Sequence, residues 1–243
     1  MLIQVGVAKV GKYATSESGD TLEMIERPHG GLSFVLADGQ RSGRSAKAIS
    51  SLVASKAISL LAEGVRDGAA ARATHDYLYL YRGGKVSATL NIVSVDLVTK
   101  TLVLSRNSHC PVVLQLGLDE QKVFDQPVSP VGVHRVTKPE IREFPLRTGM
   151  LLVVYTDGIH SAGELNGGQI DMPGFVADQY YRFLDYPHMA QTVADNILEE
   201  AMRRDQMRPR DDMSILVVAI LDRETPEVRR MQISVPVPPL QRP

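Results

Sequence analysis

The chain of 243 residues is long enough for one large domain or two small ones, and its 44% hydrophobic and 23% charged residues are typical of a globule with a sizeable core. A formal net charge of −1, without a basic stripe, argues against nucleic acid or an anionic membrane as a partner. The single cysteine, Cys110, excludes a disulfide within the chain. The first residues lack the pattern of a signal peptide, and no apolar run approaches the roughly 20 residues of a membrane span, so we expect a cytoplasmic protein.

The first third of the sequence predicts a strand, a hairpin and a long helix. Residues 2–10 alternate between apolar and polar or small side chains, as a half-buried strand does, and 11–19 form a polar loop. Residues 21–37 alternate again around a turn at 28–31, which predicts a hairpin. From 42 to 65 apolar residues recur at helical spacing, with a stripe of Ala46, Ile49, Val53, Ala57, Leu60 and Leu61.

The rest of the chain predicts further hairpins separated by pairs of helices. Tyr77, Tyr79 and Tyr81 alternate with period two, as in a strand, but the alanines at 69–71 favour a helix over 68–81. Residues 123–133 are rich in turn-forming residues. Strands are predicted at 86–98, 101–105, 111–116, 140–144, 150–156 and 213–221, and helices at 175–184 and 188–204.

The order of these elements indicates the fold class and the domain limits. Strands grouped in hairpins, with helices in pairs between them, predict an α+β protein of two antiparallel sheets packed together with helices outside. We expect one domain over 1–223. The remaining residues, 224–243, would form a C-terminal extension with one candidate edge strand at 229–235 and a loose Pro-rich tail.

Three carboxylate points lie at the ends of strongly apolar strands. Asp38-Gly39 and Asp157-Gly158 each follow such a strand, and Asp211 comes just before another. Each Asp-Gly pair has an ordinary interpretation as a turn. Carboxylate oxygens also suit Mg²⁺ and Mn²⁺, and a glycine with an unusual backbone angle could turn its own carbonyl toward the ion. Because three buried carboxylates without partners would be costly, we expect them to converge on metal ions.

These motifs, in this order, resemble one known family. Residues 34–39 through Ala46, then 155–158, then 211–214, are similar to the metal-dependent PP2C-type serine/threonine phosphatases. The closer match is the bacterial branch that includes SpoIIE, RsbU and RsbX. That branch carries Asn-Ala-Gly-His followed by Pro, and this chain has a similar segment, Asn-Ser-His-Cys-Pro, at 107–111, with a spacing that differs by one residue. The resemblance covers about 5–221 and implies a PP2C-like four-layer α/β/β/α sandwich.

The resemblance also implies a role for each acidic residue. Asp38 would bridge two Mn²⁺ or Mg²⁺ ions, and the carbonyl of Gly39 would bind one of them. Asp157 and Asp211 would bind the other, Asp211 being preferred to its neighbour because the family's ligand is the first of that pair. Asp20 would contact metal through water, with a solvated turn as the alternative. A hydroxide between two ions about 4 Å apart would then attack phosphorus.

Four further features keep two interpretations each. His109 is either a general acid for the leaving oxygen or a hydrogen-bonded structural residue. His160 either faces the site or lies on the surface. Lys12 could replace the phosphate-binding arginine that animal relatives carry in this region, unless metal alone holds the phosphate. The segment 166–175 is either a mobile flap or a plain surface loop.

The function implied is hydrolysis of phosphoserine or phosphothreonine on a regulatory partner protein, by resemblance an anti-sigma antagonist or a stressosome protein. We expect a free-standing phosphatase, closer in layout to RsbX than to RsbU. The alternatives are a catalytically silent PP2C-like binding module and a small-molecule phosphatase. The intact Asp38, Gly39, Asp157 and Asp211 argue against the silent module.

Overall fold

Two five-stranded antiparallel sheets form the centre of the computed structural model, which describes residues 1–224 and 228–236. The elements are, in chain order, β1 (Leu2–Val10), β2 (Asp20–Glu26), β3 (Gly31–Gly39), α1 (Gly43–Ala62), α2 (Asp67–Arg82), β4 (Ala88–Asp96), β5 (Thr101–Asn107), β6 (Val112–Leu116), β7 (Glu120–Phe124), β8 (Glu140–Pro145), β9 (Met150–Tyr155), α3 (Asp157–His160), α4 (Met172–Phe183), α5 (Met189–Arg204) and β10 (Met213–Leu221). The first sheet has the order β1-β10-β9-β6-β7, and the second β2-β3-β4-β5-β8.

Each sheet is packed between the other sheet and a pair of helices. The helices α1 and α2 cover the second sheet, whereas α4 and α5 cover the first. The core between the sheets is built from alternate residues of both, such as Phe34, Leu36, Leu152 and Leu216. The predicted α+β class and sandwich of two antiparallel sheets flanked by helices are confirmed.

The apolar runs of β9 and β10 follow from their central positions. Every residue of both strands is buried, because one face meets the opposite sheet and the other meets helices. Strands covered on both faces lose the polar alternation of a half-exposed strand. This burial explains why the two segments were the clearest strands in the sequence.

Two short elements were not predicted. β7 lies at the edge of the first sheet, and its exposed Glu120 and Lys122 give it no apolar periodicity. Our prediction of a turn-rich segment beginning at 123 was therefore wrong at its start. α3 has only four residues, which is too short for a helical pattern, yet it contains Asp157.

The C-terminal extension carries no strand in its described part. Residues 228–236 have no strand assignment, so the edge strand predicted at 229–235 is not observed, and Met231, Ile233 and Val235 are exposed. The residues 225–227 and 237–243 lie outside the described part, and so does most of the predicted tail. The boundary between 223 and 224 stays a prediction.

The long helix α1 corrects one statement made from the sequence. By length and composition alone, Gly43–Ala62 would pass as a membrane span, so an apolar stretch of that size is present after all. Its buried side chains pack on β2 and β3 within the core of the second sheet. A buried core helix passes the same test, and the finding is therefore weak evidence for a span.

Candidate metal centre

The hairpin β2–β3 places two carboxylates side by side. In its antiparallel register Asp20 lies opposite Asp38, and Asp38 lies opposite Thr89 of β4 on its other side. Like charges directly opposite each other in a sheet are destabilising. This pair therefore destabilises the sheet locally, as is often found at functional sites.

The first sheet brings two more carboxylates to the same end of the sandwich. The amide of Thr156 donates to the carbonyl oxygen of Ser214 at 3.0 Å, which joins the end of β9 to the start of β10. Asp157 begins α3 directly after that junction, and Asp211 lies just before β10. Both line a pocket of about 340 Å³ together with Asp38 and Gly39 of the second sheet. Four of the five expected site residues thus share one pocket.

Asp20, the fifth, lies behind the pocket and is fully buried. Its Oδ2 accepts a hydrogen bond from Thr156 Oγ1 at 2.9 Å, but Oδ1 has no partner among the described residues. Burial, only partly offset by its hydroxyl donors, raises the pKa of Asp20 to about 7. The alternative that Asp20 sits in a solvated turn is therefore wrong.

Two lysines donate hydrogen bonds to the main chain of Asp20. Lys9 of β1 and Lys47 of α1 each donate to its carbonyl oxygen, at 2.5 and 3.0 Å, and Lys47 also donates to the hydroxyl of Thr21. We call this arrangement the lysine clamp. It joins both sheets and α1 at Asp20, the residue that pairs with Asp38.

The pocket carries more negative charge than its surroundings compensate. Burial and then the neighbouring carboxylates, that of Asp20 first, raise the pKa of Asp38 to about 9. Burial also raises the pKa of Asp211, although Lys12 acts in the opposite direction. A group of carboxylates that resists ionisation in this way is a common property of functional sites and of cation sites.

Glycine is required after Asp38 and after Asp157 for a reason different from the one we expected. Neither has a left-handed φ, so the expected unusual backbone angle is wrong. A Cβ on Gly39 would instead overlap the carbonyl oxygen of Ala46 in α1, and a Cβ on Gly158 would overlap that of Asp212. Both positions require glycine because another main chain passes directly over them.

The neighbouring acids 211 and 212 have separate places. Asp211 lines the pocket, whereas the carboxylate of Asp212 is buried and accepts from the amides of Lys12 at 2.9 Å and Gly19 at 2.7 Å. Asp212 therefore fixes both ends of the loop that leads to Asp20.

Of the remaining candidates from the sequence, two line the pocket and two do not. Lys12 and His109 line the pocket, and His109 is exposed at its mouth. His160 does not line the pocket; it is half-buried against Tyr155, and burial lowers its pKa. Of the segment 166–175, residues 172–175 begin α4, so both alternatives are wrong there. Residues 166–171 do not line the pocket, and Arg204 of α5 donates to the carbonyl groups of residues 168 and 169, in agreement with a surface loop.

The donor chemistry fits a hard divalent ion, but the donors do not form a closed cage. Carboxylates and a main-chain carbonyl are the ligands that Mg²⁺ and Mn²⁺ prefer, and Asp20 Oδ1 is a buried oxygen without a partner. Within the described ranges, however, no three His, Cys, Asp or Glu side chains stand close enough to hold an ion. These side chains would have to come closer together to bind an ion directly.

Sequence reasoning missed the residues that support this site. Thr156 was visible as the residue before Asp157, but its contact with Asp20 joins positions 136 apart in the chain. Lys9 and Lys47 lie outside the motifs quoted above, and no signal in the sequence linked them to the carboxylates. Arg41, which also lines the pocket, lies within the first motif, between Gly39 and Ala46, but the sequence assigned it no role.

A protein-family comparison decides the family. The family model described as Stage II sporulation protein E (SpoIIE) matches residues 28–221, most of the chain. The chain belongs to the SpoIIE family. It is 24% identical to the Stage II sporulation protein E of Priestia megaterium over 229 residues, and 24% identical to that of Bacillus subtilis over 236 residues. These matches cover 93% and 97% of this chain but only 37% and 27% of the relatives.

Solved structures show the same fold in SpoIIE and beyond it. The PP2C phosphatase domain of Bacillus subtilis SpoIIE, solved with a fragment of its regulatory domain, matches with a TM-score of 0.74 at 22% identity, covering 90% of this chain and 64% of that one. RsbX in complex with magnesium matches with a TM-score of 0.66 at 15% identity, covering 89% and 94%. These likenesses confirm the PP2C fold, and with the family match they confirm the predicted SpoIIE-like branch.

Proposed function

We propose that this SpoIIE-family chain is a metal-dependent protein serine/threonine phosphatase. The observation that carries the proposal is the meeting of Asp38, from one sheet, with Asp157 and Asp211, from the other, in one pocket of a PP2C fold. The RsbX structure named above was solved with magnesium, which supports a divalent ion in this fold.

The proposed ligands are the carboxylates of Asp38, Asp157 and Asp211 and the carbonyl of Gly39, with Asp20 behind them. Two Mn²⁺ or Mg²⁺ ions bound there would lower the pKa of coordinated water and offset the charge on the phosphoryl oxygens. The lysine clamp and Thr156 keep Asp20 in place, and Asp212 fixes the loop that carries Lys12.

The proton for the leaving serine or threonine oxygen has one candidate donor on the pocket wall. His109 is the histidine that lines the pocket among the described residues, and its exposure lets it reach a substrate at the mouth. Cys110 next to it is an unsuitable nucleophile, because burial raises the pKa of its thiol to about 12. Hydrolysis by water, without a covalent enzyme intermediate, agrees with both features.

The proposed substrate is a phosphorylated regulatory protein, such as an anti-sigma antagonist or a stressosome protein. In support, a Mycobacterium tuberculosis structure with RsbU and RsbW domains matches this chain with a TM-score of 0.73 at 18% identity, covering 90% of this chain and 60% of that one. We also propose that the protein is located in the cytoplasm, and cell fractionation tests this location.

Phosphate release from the metal-stripped protein, before and after Mn²⁺ is added, tests the proposal. We expect Mn²⁺-dependent release from a phosphoserine peptide and from para-nitrophenyl phosphate. Asp38→Asn should lower this activity at least about 100-fold, the loss typical of a catalytic residue. Asp76→Asn, an exposed carboxylate on α2, is the matched control and should keep wild-type activity.

Three results would contradict the proposal or part of it. Activity with para-nitrophenyl phosphate but with no phosphopeptide or phosphoprotein would favour a small-molecule phosphatase. Release from neither substrate, with the protein folded and Mn²⁺ present, would favour the silent binding module. Retained activity in Asp38→Asn would remove that residue from its assigned role.

A further inference from the structure

One pocket-lining residue, Arg41, has a backbone conformation that arginine rarely adopts. Its φ is +78°, in the left-handed region where the Cβ of an L-residue approaches the following carbonyl. The other described non-glycine residues with positive φ are Ala14, Lys100, Gln206 and Met207. None of those four lines the pocket. A strained residue kept at a site is a reason to look for its function.

The strain follows from the fixed positions of the two residues before Arg41. Gly39 lies against the main chain of α1 at Ala46, and the amide of Gln40 donates to the carbonyl of Ser87 at 3.0 Å. The side-chain oxygen of Gln40 accepts from the amide of Ser87 at 3.2 Å as well. The chain must therefore reverse at 41 to enter α1 at Gly43, and the side chain at 41 is carried to the mouth of the pocket.

The guanidinium of Arg41 is uncommitted within the part of the chain that the structure describes. Salt bridges there engage eight other arginines: Arg27, Arg44, Arg106, Arg142, Arg182, Arg203, Arg204 and Arg229. Arg41 takes part in none of them and is exposed, although it stands at the rim of a pocket lined by three carboxylates. A cation left free beside an acidic site is available to an anionic ligand.

We propose that Arg41 binds the phosphoryl group of the substrate at the mouth of the acidic pocket. A phosphomonoester carries about two negative charges, and the carboxylates below would repel it. The planar guanidinium can donate two parallel hydrogen bonds to phosphoryl oxygens, which an ammonium group such as that of Lys12 cannot do. The inference rests on the proposed function, because it names the residue that holds the substrate of that same site.

The test compares Arg41→Asn and Arg41→Lys with wild type at saturating Mn²⁺. Asparagine removes the charge but tolerates positive φ better than arginine, so the variant separates ligand binding from backbone strain. The matched control is Arg44→Asn, three residues later in α1, whose side chain is 83% exposed. The measurements are KM and kcat for para-nitrophenyl phosphate and a phosphoserine peptide, the inhibition constant of inorganic phosphate, and Tm.

For Arg41→Asn we expect KM for both substrates, and the inhibition constant of phosphate, to rise about tenfold, the loss of one charge-assisted contact. The kcat should stay within about twofold, and Tm should be equal to or above that of wild type because the strain is relieved. Arg41→Lys should raise KM by about threefold, since it keeps the charge without the fork. Arg44→Asn should match wild type.

Several outcomes would overturn the proposal. Unchanged KM and phosphate inhibition in Arg41→Asn would remove Arg41 from phosphate binding. A rise confined to the phosphopeptide would show contact with the peptide and not with the phosphoryl group. A fall in Tm with a parallel fall in kcat would indicate a structural role. Should wild type release no phosphate at all, the proposed function fails by itself, and calorimetry of inorganic phosphate binding to wild type and Arg41→Asn still decides the role of Arg41.

Discussion

Asp38 is the central residue of the proposed site, and its position opposes the stability of the fold. It stands opposite Asp20 in the sheet, and its carboxyl is partly withdrawn from water. Ionisation there is unfavourable unless a cation is bound, as the raised pKa of about 9 indicates. Replacing it should therefore help the metal-free fold while it abolishes function, the usual relation between stability and activity at such sites.

We expect Asp38→Asn to raise the free energy of unfolding of the chelator-treated protein by about 1–3 kcal/mol near pH 8. A carboxyl whose folded pKa lies above the ordinary value of 3.8 binds more protons when folded, so its contribution to stability is complete below about pH 4 and is lost as pH rises toward 9. Urea unfolding of wild type in chelator should show falling stability across that range, with a shallower slope in Asp38→Asn. Equal slopes would disprove the raised pKa.

Gly39 offers a second test at the same scale, because its hydrogen atoms face the main chain of α1. In Gly39→Ala the new methyl group would overlap the carbonyl oxygen of Ala46, so β3 and α1 would have to separate. We expect a loss of about 2–4 kcal/mol of unfolding free energy and weaker Mn²⁺ binding. Gly11→Ala is the control, since a Cβ there would make only ordinary contacts. Chemical denaturation measures the unfolding free energy of the two variants. Equal stability of Gly39→Ala and Gly11→Ala would refute the argument.

At the scale of elements, the lysine clamp joins β1, β2 and α1 at one point. Lys47→Met would remove the donor to the carbonyl of Asp20 and to the hydroxyl of Thr21. We expect about 1–2 kcal/mol of lost stability. A severalfold rise in the Mn²⁺ concentration for half-maximal binding, read by calorimetry, should accompany it, because Asp20 would no longer be held. Lys56→Met on the same helix should leave Mn²⁺ binding unchanged; an equal shift there would discredit the clamp.

The elements that could be predicted are those with a strong period or a strong register. In the observed register Thr21 and Ala37, the two ends of the predicted hairpin, lie opposite each other. The next pair of the same ladder is Asp20 and Asp38. The start of α4 was placed three residues late, although Asp171, whose side chain accepts from the amide of Gly174, and the following proline signalled it. Edge strand β7 gave no apolar period because it buries little.

The support of the site was beyond prediction for a different reason. The Asp-Gly pairs were visible, but the need for glycine comes from main chains that pass close in space, from α1 and from residue 212. The lysine clamp and Arg41 depend on the same convergence of distant segments. Sequence spacing reports which residues share an element, and it does not report which elements meet.

At the scale of the whole molecule, the sandwich ends close to β10. Arg223 donates to the main-chain carbonyls of Tyr186 and Pro187, so the chain is held up to that point. The described residues 228–236 are exposed. We expect a protein shortened to residues 1–224 to keep its Tm within about 2 °C and its Mn²⁺-dependent activity. Arg223→Ala, by contrast, should lower Tm by several degrees. A large loss on shortening, measured by calorimetric scanning, would move the domain boundary beyond 224.

The pairing of β1 with β10 has a consequence for how the protein is made. Leu2 lies opposite Leu221, so β1 leaves the ribosome long before the strand with which it pairs. During synthesis β1 remains without this partner while about 200 residues are added, at about 5–20 residues per second, and the fully apolar β9 waits for about 60 residues. During that delay, of about ten seconds or more for β1, the unpaired N–H and C=O groups of the strand edges are exposed to other chains. We therefore expect the nascent chain to benefit from chaperones, whatever the stability of the finished protein.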